Sequence, residues 1–295
     1  MLYRHIHSLL IALSLCLLAV GCTDDEREAA DATADPQPVA FVVTQQPWRD
    51  ENVNLTTRST TTLDGLKVST TGFGLFCSDF HFANQQVLWE HEAWNYGNSV
   101  LWSMDKTKAY NLYAYAPYDA TLVASAATNT LTFTCAEDNQ VDLLWASQTG
   151  VVRDDENSPV ELNFRHALGK ISLGTIANST GHNITLDKLV LKSKLYTGGT
   201  FSLADGTWSG WVGGTDEQTI EHSVGQTFDS NTAIAANAPD LLQIPGVEAT
   251  VELVFTIEGF DKTNEDIKFT TTFEQGVSKN FNITIEKNFE VIITQ

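Results

Sequence analysis

The sequence lacks several features that would indicate an enzyme or a nucleic-acid-binding protein. It contains no Gly-x-Ser-x-Gly motif, no phosphate-binding glycine loop and no Cys-x-x-Cys pair. Cations are scarce, with 17 lysines and arginines against 37 aspartates and glutamates and a net charge of −20. Because so negative a surface repels phosphate backbones, the composition argues against a nucleic-acid partner.

Metal-ligand spacing is also missing. His91 and Glu92 begin like a zincin motif, but the residue four positions after His91 is Asn95 rather than a second histidine. The acidic run 261–266 lacks the ligand spacing of a calcium loop, so we interpret it as a solvated hairpin tip. We expect no catalytic residue, metal or cofactor; a hydrolase with an unrecognised carboxylate pair is an alternative that rests only on the abundance of acids.

The N-terminus predicts export. Residues 9–20 form an apolar run too short to span a bilayer, preceded by the base Arg4 and followed by small residues and Cys22. This order resembles the bacterial lipoprotein signal, which implies that residues 1–21 are removed and that Cys22 is acylated. Ordinary secretion with cleavage near Gly21 is the alternative.

Few cysteines remain for the folded body. Cys16 leaves with the signal, and Cys77 and Cys135 each end an alternating apolar stretch. Both side chains could therefore point into one core and form a disulfide in an oxidising compartment. Two separately buried thiols are the alternative.

No helical period is sustained anywhere, and the pattern predicts an all-β protein. Residues 22–39 are acidic and small, as in a flexible tether. Short strands rich in β-branched and aromatic residues follow, such as 251–257, and turn signals occur at Asp64-Gly65 and Asp205-Gly206. We place two β-sandwiches at 40–157 and 158–295, divided near a polar, turn-prone run.

Aromatic residues offer a second function class. Trp94, Trp102 or Trp211 could form a sugar-stacking platform of a surface-exposed glycan-binding lipoprotein. Core packing is the expected role for most of the tryptophans, Trp89 and Trp208 included. For His166 we expect a hydrogen-bonded structural role.

Five stretches, taken in order, resemble the fimbrillin family of exported lipoprotein pilins. The most specific are 142–146 (DLLWA) and 160–171 (VELNFRHALGKI), which are similar to consecutive family strands. The others are 72–76 (GFGLF), 110–117 (YNLYAYAP) and 241–245 (LLQIP). The resemblance implies two tandem transthyretin-like Greek-key sandwiches in a structural, non-enzymatic fimbrial subunit.

The same resemblance implies a route of assembly. A subunit anchored in the outer membrane through lipid on Cys22 is cut by a trypsin-like maturation protease and loses its first strand. A strand from another fimbrial subunit then fills the gap, which builds a fimbrium that supports adhesion.

The residues that match this route are specific. Arg58 stands at the family's Thr-Arg position and is the expected cleavage site, with Arg49 in reserve. The lost strand would be 39–43 or 53–57, and the donor would be the C-terminal pair 280–285 and 288–294. An uncut Arg58 is the alternative, and it would favour an anchor or minor subunit.

Overall fold

The computed structural model describes residues 37–50, 61–125, 129–135, 141–154, 156–259 and 263–295. The strands of its N-terminal half are β1 (Phe41–Gln45), β2 (Arg49–Asp50), β3 (Phe73–Cys77), β4 (Phe82–Glu90), β5 (Ala93–Asn95), β6 (Ala109–Ala116), β7 (Val123–Ser125), β8 (Thr130–Thr134) and β9 (Leu144–Val152). Those that follow are β10 (Val160–His166), β11 (Gly169–Asn178), β12 (Ile184–Ser193), β13 (Tyr196–Ser202), β14 (Trp208–Gly213), β15 (Gln218–Phe228), β16 (Thr232–Ala235), β17 (Leu241–Gln243), β18 (Glu248–Ile257), β19 (Thr263–Thr272), β20 (Val277–Ile285) and β21 (Val291–Thr294).

The all-β expectation is confirmed. Alternation places Val251, Leu253 and Phe255 of β18 in the core, as the period of two requires. Helical structure in the described residues is limited to α1 (Leu63–Val68) and two single 3-10 turns, Ser78–Phe80 and Ala120–Leu122. None of the described helices has the length and apolar character needed to cross a membrane.

The first of the two predicted turns is wrong. Asp64 and Gly65 lie inside α1, whose N-cap Thr62 accepts a hydrogen bond from the Gly65 amide at 3.0 Å. The cap favours a helical turn over a hairpin because it satisfies an otherwise free backbone N–H. The second turn is confirmed, since Asp205 and Gly206 connect β13 and β14.

In the part of the chain that the structure describes, four sheets surround three apolar cores. A seven-stranded sheet has the order β1-β10-β9-β6-β3-β4-β5, and one of its faces forms the first core together with α1. Its other face packs against the four-stranded sheet β14-β13-β8-β7, and the core between these two sheets is the central core. A third core lies between a six-stranded sheet, with β11 and β20 at its centre, and the four-stranded sheet β15-β12-β18-β19.

The predicted boundary at residue 157 does not separate these layers. β10 lies after it in sequence but pairs with β1 and β9, and β13 pairs with β8. In the opposite direction, β2 pairs with β20. Apolar side chains from both halves share the central core, so the two halves interlock and residues 37–295 belong to one compact unit.

One glycine in this fold has a clear steric role. Gly206 has φ +73°, and a Cβ built there would lie 2.1 Å from the indole ring of Trp145. Gly97 also has a positive φ, +85°, but a Cβ there would meet nothing within 4 Å. Comparison of the two glycines therefore distinguishes the effect of backbone strain from that of steric overlap.

We expect Gly206→Ala to lower the free energy of unfolding by about 2 to 5 kcal/mol, because it adds overpacking to left-handed backbone strain. Gly97→Ala should cost only the backbone term, about 1 kcal/mol. Urea unfolding of the two variants beside the parent chain measures both. Equal losses would show that the Trp145 contact is unimportant.

Candidate functional site: the N-terminal edge segment

The N-terminal edge segment, residues 39–50, lies along the borders of two sheets. Its first strand, β1, runs parallel to β10, with Phe41 opposite Val160 and Val43 opposite Leu162. Among the described strands, β10 is the only one that β1 pairs with. The segment therefore forms the last strand of the seven-stranded sheet.

The side chains of β1 alternate between core and solvent. Val39, Phe41 and Val43 are buried in the core that also contains Leu66 of α1. Val42, between them, is 46% exposed. The edge strand thus supplies one wall of an apolar core.

The second part of the segment inserts a tryptophan into the central core. Trp48 is buried, and its indole stacks on the imidazole of His166 with ring centroids 3.8 Å apart. The ammonium of Lys170 lies 5.0 Å from the centroid of the same ring. Trp48 therefore covers two basic side chains of β10 and β11.

Next to Trp48, β2 attaches the segment to the other half of the molecule. The Arg49 amide donates to the Gly276 carbonyl at 2.9 Å. The Arg49 guanidinium donates to the Gln275 carbonyl at 2.8 Å. Because these bonds fix the backbone at Arg49, it lies in a paired stretch rather than a loose loop.

A buried acid–histidine pair lies directly under the segment. Nδ1 of His166 is 3.0 Å from both carboxylate oxygens of Asp142, and both side chains are almost fully buried. Asp142 also accepts the Thr61 amide at 3.1 Å. The expected structural role of His166 is confirmed, and the pair also holds the backbone at Thr61.

A second buried pair lies close by. Nζ of Lys170 is 3.9 Å from the carboxylate of Asp240, which accepts the Ser172 hydroxyl at 2.6 Å. Lys170 is only 1% exposed. An isolated buried ammonium is costly, so the carboxylate and the Trp48 ring compensate the charge together. Sequence reasoning missed this pair because Lys170 and Asp240 are far apart in sequence and meet only through the pairing of β11 with β17.

The two C-terminal strands differ in how they are held. β20 lies between β11 on one side and β2 and β21 on the other, and Phe281, Ile283 and Ile285 are core residues. β21 pairs only with β20 among the described strands, and its Ile292 is 44% exposed. β21 is therefore an edge strand, whereas β20 is a central one.

Two predicted processing residues fall outside the described part of the chain. They are the lipidation site Cys22 and the cleavage site Arg58; the signal peptide and most of the tether also fall there. The reserve site Arg49 lies in β2.

Of the two alternatives for the cysteines, the structure has the two separately buried thiols. Cys77 and Cys135 are both free and buried, in different cores on the two sides of the seven-stranded sheet. The Cys135 thiol donates to the Leu242 carbonyl at 3.3 Å. Burial raises the pKa of Cys135 to about 12 and also raises the pKa of Cys77. Alternation placed both side chains inward, but Cys77 ends β3 of the seven-stranded sheet and Cys135 follows β8 of a four-stranded sheet, so they enter different cores.

The sugar-platform interpretation loses most of its residues. Trp94 and Trp102 are buried in the first core. Trp211 is 43% exposed, but its ring stacks on Tyr196 with centroids 4.6 Å apart. No group of three or more histidines, cysteines and acids in the described residues could hold a metal ion.

Comparison with known proteins gives the family. A model described as fimbrillin-like matches residues 53–295. The chain belongs to the fimbrillin-like family. Two solved structures share the fold at a TM-score of 0.56: a protein described as a cell adhesion protein from Bacteroides ovatus, 20% identical, and a fimbrial protein from Bacteroides vulgatus, 16% identical. The alignments cover 88% and 87% of this chain, and 96% and 97% of the respective relatives.

A search of curated protein sequences finds no match. The fimbrillin-like family comprises fimbrial subunits and not enzymes, in agreement with the expected non-enzymatic role.

We expect Asp142→Ala to destabilise the fimbrillin-like chain by about 2 to 4 kcal/mol, because it leaves a buried imidazole N–H and the Thr61 amide without their acceptor. Asp142→Asn keeps one acceptor oxygen and should lose less. Urea unfolding measures both, with exposed Asp216→Ala as the matched control. A loss no larger than that of the control would contradict a structural role for the pair.

The two thiols should resist alkylation in the native protein, because burial removes both access and the reactive thiolate. In denaturant without reductant, both should react with iodoacetamide, as located by peptide mass mapping. Labelling that requires a reductant would establish a disulfide instead.

Proposed function

We propose that this chain is a fimbrial subunit that assembles by strand addition. Its N-terminal edge segment is released, and a strand from another subunit takes its place. One observation carries the proposal: the segment covers two sheet edges from outside, yet places Phe41, Val43 and Trp48 in two cores. A segment with these properties is separable from the body and leaves a complementary vacancy.

The vacancy has the physical properties of an acceptor site. Loss of β1 would free the N–H and C=O groups of β10 on one side, together with an apolar groove. Such an edge pairs readily with another chain and is normally avoided in stable proteins. An added strand regains the main-chain hydrogen bonds, and its alternate side chains fill the groove and fix the register.

Arg58 is the favoured cleavage site in this proposal. A protease requires an extended stretch that it can draw into its active site, and exposed unpaired segments meet that requirement best. Arg49 is held by main-chain hydrogen bonds to Gly276 and through β2 to β20, so a cut there needs local opening first. Cleavage after Arg58 also frees the whole edge segment from the body.

Of the two C-terminal strands predicted as donors, we retain β21 in this proposal. Extraction of β20 would remove a central strand and three core side chains, which would unfold the third core. β21 follows a tight turn in which the Glu286 amide donates to the Glu290 carbonyl at 2.8 Å. Detachment at this turn costs one edge pairing and the partly buried contacts of Val291 and Ile293 with the third core, and it extends the chain toward a neighbour.

Export and location complete the proposal. Acylation at Cys22 would hold the precursor at the outer membrane, since several acyl chains give stable anchoring. Cleavage after Arg58 would release the body from that anchor into a cell-surface fimbrium. The solved relatives described as adhesion and fimbrial proteins support a role in adhesion.

The proposal is tested by limited proteolysis of the purified full chain with a trypsin-like protease. We expect a cut after Arg58, followed by a ladder of oligomers in native mass spectrometry. Arg58→Ala should remain uncut and monomeric, whereas Arg49→Ala should behave like the parent chain. Complete trimming without oligomers would remove the support for polymerisation.

A C-terminal truncation distinguishes the donor role of β21 from the acceptor role of the groove. A chain ending at Lys287 lacks β21 but retains β20, and circular dichroism checks that it remains folded. After trimming it should cap parent subunits without forming a ladder on its own. A full ladder from the truncated chain would contradict donation by β21.

A further inference from the structure

We propose that the pocket occupied by Trp48 selects the replacing strand, because it requires an aromatic side chain on the incoming subunit. This inference rests on the proposed strand addition and adds the chemistry by which the partner is recognised. The residue that fills the pocket within this chain indicates what the partner must bring. Val291–Thr294 of β21 has no aromatic residue, so when the incoming strand is β21 of a second copy the ring comes from Phe289, two positions before it.

The Trp48 pocket is defined by its contacts. The imidazole of His166 stacks on the indole with an angle of 17° between the rings, and Nζ of Lys170 lies 5.0 Å from its centroid. Leu242 and Ile244 belong to the same apolar core. The pocket therefore combines a flat imidazole, a cation and aliphatic surroundings.

These contacts favour an aromatic ring over an aliphatic chain. An aromatic face carries negative quadrupole density that attracts an ammonium, and it stacks favourably on a second flat ring. A leucine would fill part of the volume but would leave the Lys170 ammonium under a hydrocarbon cover. Because Lys170 is 1% exposed and Asp240 is 3.9 Å away, the compensation that an aromatic ring supplies matters more there than at a solvated site.

The remainder of the edge segment has no such requirement. Phe41 and Val43 point into a groove among aliphatic and aromatic residues, where many apolar side chains satisfy the alternation. The Trp48 pocket also has an open flank, a cleft of about 370 Å³ bordered by Pro47, Trp145 and Arg165. Selection should therefore be strongest at the Trp48 position, and an incoming side chain has room to approach it.

The test is a displacement experiment on the folded full chain. The chain is cut within 51–60, at Arg58 or at a specific protease site introduced there, and its N-terminal fragment is left in place. Synthetic peptides spanning residues 37–50 are then titrated, and fragment release is followed by size-exclusion chromatography. The peptides carry the parent sequence, Trp48→Phe, Trp48→Leu or, as the matched control, Val42→Ala on the exposed face of β1.

We expect the parent, Val42→Ala and Trp48→Phe peptides to displace the fragment at similar concentrations, within about threefold. The Trp48→Leu peptide should require about tenfold more, the loss that corresponds to missing cation–π and stacking contacts. Equal potency of the leucine peptide would overturn aromatic selection but leave strand addition standing. Failure of every peptide, the parent included, would overturn strand addition and this inference with it.

Discussion

The structure depends on an asymmetry in how residues 39–50 are attached. Their backbone pairs at sheet edges, with β10 at one end and β20 at the other, and the Val39 amide also donates to the Val100 carbonyl, while their side chains fill two cores. Edge pairing is the weakest form of sheet attachment because half of the backbone groups have no strand partner. Core burial is the strongest, and here it involves Phe41, Val43 and Trp48. The same residues are therefore both necessary to the fold and placed where another chain could substitute for them.

In the proposed strand addition, covalent connection decides which strand occupies the site. While residues 51–60 join the segment to the body, it returns to its groove at the effective concentration of a short tether, on the order of millimolar. A cut in that connection removes the advantage, and the segment then competes with any other strand at its actual concentration. The parallel pairing of β1 and β10 helps, because no hairpin turn links the two strands. By contrast, β21 is one arm of a hairpin and stays joined to its own subunit when its pairing opens.

Sequence patterns predicted the strands of this fold better than they predicted which strands pair with each other. A period of two identified β18 and the inward face of β10, since alternation is a local property. It could not reveal that β10 pairs with β1 and β9, so the predicted division at residue 157 does not follow the strand pairing. The Asp64-Gly65 turn was also wrong, because a preceding Thr62 cap changes the preference of the same dipeptide. Alternation also could not decide between a disulfide and two separate thiols, because it does not show that Cys77 and Cys135 follow strands of different sheets and enter different cores.

Sequence analysis identified only part of the site. Trp48 lies in a polar run, Gln45 to Arg49, with no alternation to mark it as a core residue, and its partners His166 and Lys170 are more than a hundred positions away. Only the folded chain reveals that one indole covers two buried acid–base pairs. These buried polar groups also distinguish the groove that the edge segment would leave from an ordinary apolar groove. Without the cover, Asp142, His166, Lys170 and Asp240 would regain water, and that hydration lowers the cost of the open state and opposes indiscriminate hydrophobic association. An incoming strand must repay the lost hydration as well as fill the groove, and a side chain that interacts favourably with an ammonium and an imidazole does so at the lowest cost.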